Sequence, residues 1–145
     1  MITVVYPEYA HSVRPGDDGQ PVILDPVRRR WVRLTPEEWV RQNFLQYLMQ
    51  TLRYPASLVS VEKEIIVGEL RKRYDIVVYR DALPWLLVEC KETSVELGPA
   101  TLEQALRYHI SVPVQYIVVT NGHYTYAWEK IDGRLTAMAA LPVWP

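Results

Sequence analysis

Residues 86–92 read Leu-Leu-Val-Glu-Cys-Lys-Glu, "LLVECKE". Three apolar residues run straight into a carboxylate, a cysteine, a lysine and a second carboxylate. Leu86, Leu87 and Val88 have the character of a buried strand, and a buried strand that ends in unpaired charge is costly, by several kcal/mol per ion. Side chains alternate along a strand, so Glu89 and Lys91 share one face while Cys90 points to the other. An acid and an amine therefore stand side by side where a strand leaves the core. Cys90, turned into apolar company, reads as a packed core thiol rather than a nucleophile.

Working outward, two more strand-like runs precede this one. "LVSVEKEIIV" (58–67) alternates in part, and "RYDIVVY" (73–79) is apolar after its aspartate. If the strand at 73–79 and the strand at 84–91 pair as an antiparallel hairpin through "RDALP" (80–84), Asp75 and Glu89 lie close across the ladder. Two carboxylates brought together repel unless a cation lies between them. Asp75, Glu89, the backbone carbonyl of Cys90 and waters make an oxygen-only donor set, which suits Mg²⁺, with Mn²⁺ as the alternative, over zinc. The histidines at 11, 109 and 123 are scattered and offer no zinc-like spacing. Lys91 would face the same ion, placed to orient a water and to neutralise charge building on a phosphate.

The rest of the chain completes an α/β domain. In "TPEEWVRQNFLQYLMQTLRY", Thr35 is the predicted N-cap, Pro36 the first helical residue and Glu38 the capping-box partner. Pro55 ends that helix. A second helix is expected over 99–110, then strands at 114–120 and 123–131 with a hairpin-type turn at Asn121-Gly122. "PVILD" and "RRWVRL" read as two short strands, and residues 1–21 as an irregular N-terminal arm. The order predicts one domain over 1–145 with an αβββαβ core at 35–131 and a mixed central sheet flanked by helices. The tryptophans at 31, 39, 85, 128 and 144 are read mostly as core.

The chain has 145 residues, 49% of them hydrophobic and 23% charged, enough for one sizeable core. Its net charge of −1 excludes a globally basic nucleic-acid binder. Arg28, Arg29 and Arg30, with Arg71, Lys72 and Arg73, form two local basic runs able to meet phosphates. One cysteine cannot form an intrachain disulfide, which fits a cytoplasmic location, as does a first segment without a secretory pattern.

The spacing D-x13-E-x-K at Asp75, Glu89 and Lys91 resembles that of the PD-(D/E)XK nucleases. The likeness extends to "TPEEWVRQNFLQYL", "RYDIVVYRDALPWLLVECKE", "EQALRY" and "IVVTNG", which together resemble the N-terminal nuclease domain of type I restriction HsdR subunits. That resemblance covers about residue 20 to residue 131. It implies a restriction-endonuclease-like fold, Mg²⁺-dependent hydrolysis of phosphodiester bonds in DNA, and a site of Asp75, Glu89, Lys91 and the helix glutamine Gln104. It also implies an acid from the first helix, assigned to Glu37 because its spacing to Arg41 fits the E-x-x-x-R pattern; helix geometry alone allows Glu37 or Glu38. Tyr74 stands where the motif's name has proline. No G-x-x-x-x-G-K-[ST] loop occurs, so the nuclease would carry no motor of its own. The rival reading is a catalytically silent module of the same fold that binds nucleic acid or a partner protein. A homodimer, or a protein partner supplying specificity, fits either.

Overall fold

The computed structural model describes residues 1–145. Its centre is a six-stranded sheet in the order β4-β5-β6-β7-β8-β9. The strands are β4 (Val59–Val67), β5 (Leu70–Arg80), β6 (Leu83–Cys90), β7 (Tyr116–Thr120), β8 (Thr125–Ile131) and β9 (Arg134–Ala137). All neighbours are antiparallel except β6 and β7, which run parallel. A parallel pair needs a long crossover, and helix α2 (Pro99–His109) supplies it. Helix α1 (Pro36–Gln46) precedes β4, so α1, β4, β5, β6, α2 and β7 give the αβββαβ order expected from the sequence. A separate three-stranded sheet, β1 (Val13–Pro15), β2 (Pro21–Asp25) and β3 (Arg30–Arg33), lies before α1.

β6 is apolar on both faces because both are covered. Leu86, Val88 and Cys90 join Val40, Phe44, Leu45 and Leu48 in the larger core. Leu87 packs with Tyr74, Val77, Val112, Val114 and Ile117 in a second. Each such fully buried aliphatic or aromatic side chain is worth about 1.5–3 kcal/mol. Helix α1 begins as read: Pro36 opens it, and Thr35 accepts from the Glu38 N–H at 3.1 Å. Only that half of the capping box forms, because the Glu38 carboxylate turns inward to two arginines.

Four further readings are corrected. Trp39 is 44% exposed and packs against the His11 ring at 5.0 Å, since the core stripe of α1 passes through Val40 and Phe44 instead. The N-terminal arm is not irregular throughout. Ile2 is buried and bridges Thr125, Val4 and Tyr6 pack on the core, and residues 13–15 form β1. β9 was not foreseen: Asp132 (φ 49) and Gly133 (φ 76) make a tight turn that adds one more short strand. Asn121-Gly122 lies in a longer loop, with Thr120 paired to Thr125. The Asn121 Oδ1 organises that loop by accepting from the N–H groups of His123 and Tyr124, at 3.0 and 2.7 Å.

Candidate active site

The pairing of β5 with β6 runs as far as Ile76↔Val88, and one further step would set Asp75 opposite Glu89. The ladder stops there. In its place the Asp75 Oδ2 accepts from the Cys90 N–H at 2.8 Å, so a side chain substitutes for a strand carbonyl. The alternation of β5 breaks at the same point, because Tyr74 and Val77 enter the same core. On the far side, the Lys91 N–H bonds the Thr120 carbonyl at 2.8 Å and fixes the strand end that carries the lysine.

The two acids have different company. Asp75 Oδ1 accepts from Arg41 Nη1 at 2.8 Å. Glu89 faces α2: its Oε1 lies 3.2 Å from His109 Nε2, and its Oε2 lies 3.6 Å from Lys91 Nζ. Burial pushes the Asp75 carboxyl up to about 6, although the Cys90 N–H and Arg41 both pull it down; the charges of Glu37 and Glu62 push it further up. Burial would raise Glu89 too, but its bond to His109 and the charge of Lys91 win, and it sits below the usual carboxylate range. The Cys90 thiol is raised, first by burial and then by Asp75, which leaves it protonated and inert as a nucleophile.

Behind Asp75 lies an ion-pair network that spacing did not reveal. Arg41 Nε and Nη2 grip the Glu38 carboxylate, both bonds at 2.8 Å, and Nη1 reaches Glu62 at 2.5 Å as well as Asp75. Arg28 binds Asp25 at 2.6 Å and Glu38 at 2.8 Å. Gln42 donates to Asp25 at 3.0 Å and to Glu38 at 3.2 Å. Four carboxylates (Asp25, Glu38, Glu62 and Asp75) thus share two inward guanidiniums. Arg73 adds only a solvent-side contact to Glu62 at 3.6 Å. Glu37, exposed in the first turn of α1, brings another negative charge within reach of Asp75. The region carries surplus negative charge.

Glu89, Lys91 and Gln104 line one open pocket of about 210 Å³ with Thr101, Ala105 and Tyr108. The structure therefore brings Glu89, Lys91 and Gln104 together and hangs Asp75 on the neighbouring strand. Of the basic runs, Arg29 and Arg30 are exposed, and the Arg71 and Arg73 side chains reach solvent. Arg28 is taken up internally. Lys72 is tied to the end of α2, bonded to the Tyr108 carbonyl with its Nζ 4.3 Å from the Tyr108 ring centre. Sequence spacing missed Glu62, His109 and the central place of Arg41. Glu62 sits among the polar residues of a strand that reads as half-solvated, and an isolated histidine in a helix carries no signal.

The profile of the family described as type I restriction enzyme R protein N terminus matches residues 36–142. The chain belongs to this family. The match spans α1 to β9 and includes every residue of the pocket, but not the β1–β3 sheet. A comparison with curated proteins returned no match. No helix is long and apolar enough to cross a membrane.

Proposed function

We propose that this member of the family is a divalent-metal-dependent nuclease that hydrolyses phosphodiester bonds, with DNA as substrate. The observation that carries the reading is the strand end of β6. It presents Glu89 and Lys91 to an open pocket shared with Gln104, one ladder step from a partly buried and under-compensated Asp75. The donor set fits a hard cation: Asp75, Glu89 and the Cys90 carbonyl are all oxygen donors, and the surplus negative charge around Arg41 favours an added positive one. When bound, Mg²⁺ or Mn²⁺ would supply Lewis acidity to the phosphoryl group and to an attacking water.

The protein's own groups do the rest. Lys91, beside Glu89 and partly exposed, offers an ammonium to the water and to the charge that develops on the phosphate. Gln104 projects into the same pocket from α2 and can hold either by hydrogen bonds. Glu37, on the rim of the Asp75 side, supplies a further carboxylate. The solvent-reaching Arg71 and Arg73, with Arg29 and Arg30, would hold the backbone of a substrate. A cytoplasmic setting and a partner that supplies specificity belong to the same proposal.

The test pairs cleavage with binding. Labelled duplex, nicked, flapped and single-stranded DNA are incubated in Mg²⁺ with wild type and with Lys91→Ala, and gel-shift affinities are measured alongside. Wild type should cut at least one substrate. Lys91→Ala should bind equally and cut about a hundred- to a thousandfold more slowly, the usual cost of losing one charge-stabilising group. Binding by wild type without cleavage on any substrate replaces this proposal with the silent-module reading, for which the present ties of Asp75 to Arg41 and of Glu89 to His109 speak.

A further inference from the structure

β4 is a regular strand except at one residue. Its pairing with β5 holds at Val61↔Ile76 and resumes at Lys63↔Tyr74; between them Glu62 takes φ 55 and pairs with nothing. The missing partner in that register is Asp75. The left-handed region is disfavoured for any residue with a Cβ, and a ladder pair is lost as well. The β4–β5 turn does not require it, since that turn is made further on, where Gly68 supplies the positive φ. Such local strain persists only where surrounding contacts hold it, and it gathers at functional sites.

What holds Glu62 is Arg41. The Nε–H and one N–H of Nη2 on that guanidinium are committed to Glu38, and Nη1 serves the other two carboxylates. One of its bonds goes to Asp75 Oδ1 at 2.8 Å and the other to Glu62 Oε1 at 2.5 Å. We propose that Glu62 is a positioning residue for the cation site: it shares Arg41 with Asp75 and so keeps the guanidinium from neutralising the carboxylate that receives the divalent ion. A cation arriving at Asp75 meets repulsion from Arg41 in a partly buried setting where charge interactions are strong. Glu62 offsets that repulsion through its own bond to the same nitrogen, and with Glu38 it holds Arg41 independently of Asp75. This inference rests on the metal-dependent reading above.

Titration calorimetry of the full chain with Mg²⁺, and separately Mn²⁺, in the absence of DNA tests it without reference to turnover. Glu62→Gln keeps the shape and removes the charge; Glu62→Gly removes the charge and the backbone strain. Arg80→Gln is the control, because Arg80 lies beside the β5–β6 turn and meets only the exposed Asp81. Both Glu62 variants should bind the ion about tenfold more weakly, the size of one nearby, partly screened charge, and Arg80→Gln should stay within twofold of wild type. Glu62→Gly should melt several degrees above Glu62→Gln. A plain structural salt bridge would lower stability and leave ion affinity unmoved, so wild-type affinity in both Glu62 variants overturns the inference. Glu62→Gly melting below Glu62→Gln overturns it too, by removing the strain. Absence of ion binding in wild type is a distinct result that takes down the metal-dependent reading and this inference together.

Discussion

Asp75 and Glu38 hang on the same guanidinium and have opposite effects on stability. Burial pushes Asp75 up to about 6, so its ionisation costs stability: the penalty is absent below its ordinary 3.8, grows between 3.8 and 6, and is complete above that. For Glu38, burial alone would raise the carboxyl, but the hydrogen bonds and charge of Arg41, with Arg28, bring it down to about 2. Its contribution is complete above the ordinary 4.5 and is lost as pH falls from 4.5 towards 2. Asp75→Asn, which keeps an acceptor for the Cys90 N–H, should therefore raise stability at pH 7 by about 1–3 kcal/mol. Glu38→Gln should lower it by about 3 kcal/mol, as expected for breaking a buried pair. Denaturant melts from pH 3 to pH 8 check both, and a destabilised Asp75→Asn would mark Asp75 as a structural acid rather than one held in readiness for a cation.

The hairpin joining β5 to β6 aims the site, because Asp75 leaves one of its strands and Glu89 and Lys91 end the other. Its turn is made by Asp81 (φ 52) and Ala82 (φ 63), with Arg80 paired to Leu83. Two positive φ values are what a tight hairpin turn of this twist needs, and the usual second residue is glycine. Alanine there is strained. Ala82→Gly should stabilise the protein by about 0.5–1 kcal/mol, the relief at the turn outweighing the entropy glycine gains when unfolded. A shift of the urea midpoint with an unchanged slope is the expected result; no shift would place the turn in another conformation. Cleavage should be unaffected, since the turn lies at the opposite end of β6 from Glu89 and Lys91.

The N-terminal segment ties distant parts of the fold together. The Ile2 N–H bonds the Thr125 carbonyl at 2.7 Å, and its side chain joins the core beside α1 and β6. Tyr9 reaches the hydroxyl of Thr51 at 2.7 Å. At the other terminus, the Tyr54 hydroxyl donates to the Pro142 carbonyl at 2.5 Å, and Trp144 packs on Trp85 and Tyr54. Ile2→Ala should cost about 2–4 kcal/mol, the range for emptying a buried aliphatic site. A loss under about 0.5 kcal/mol would mean that the segment is not docked in solution.

Local chemistry was enough to place the core strands and the starts of both helices, though the first helix passes into a π-helical turn over Tyr47–Thr51 instead of running regularly to Pro55. The Thr35-Pro36 start, the apolar runs of β5 and β6 and the length of chain between β6 and β7 act within a few residues of one another, and those forces are written in order along the sequence. The same local logic set Glu89 and Lys91 at the end of β6 and turned Cys90 inward, but Asp75, read as standing near the start of its strand, lies in the middle of β5 because that strand begins at Leu70. That logic could not say where the charged side chains would go. Glu38 looked like a capping residue, Arg28 like a phosphate contact and Glu62 like part of a solvated strand face. All three point into one network because α1 crosses the sheet at β5 and β6, and the β2–β3 hairpin closes over the start of α1. A buried guanidinium takes whichever carboxylates the fold brings within 3 Å of it, and that choice depends on contacts between segments far apart in the chain.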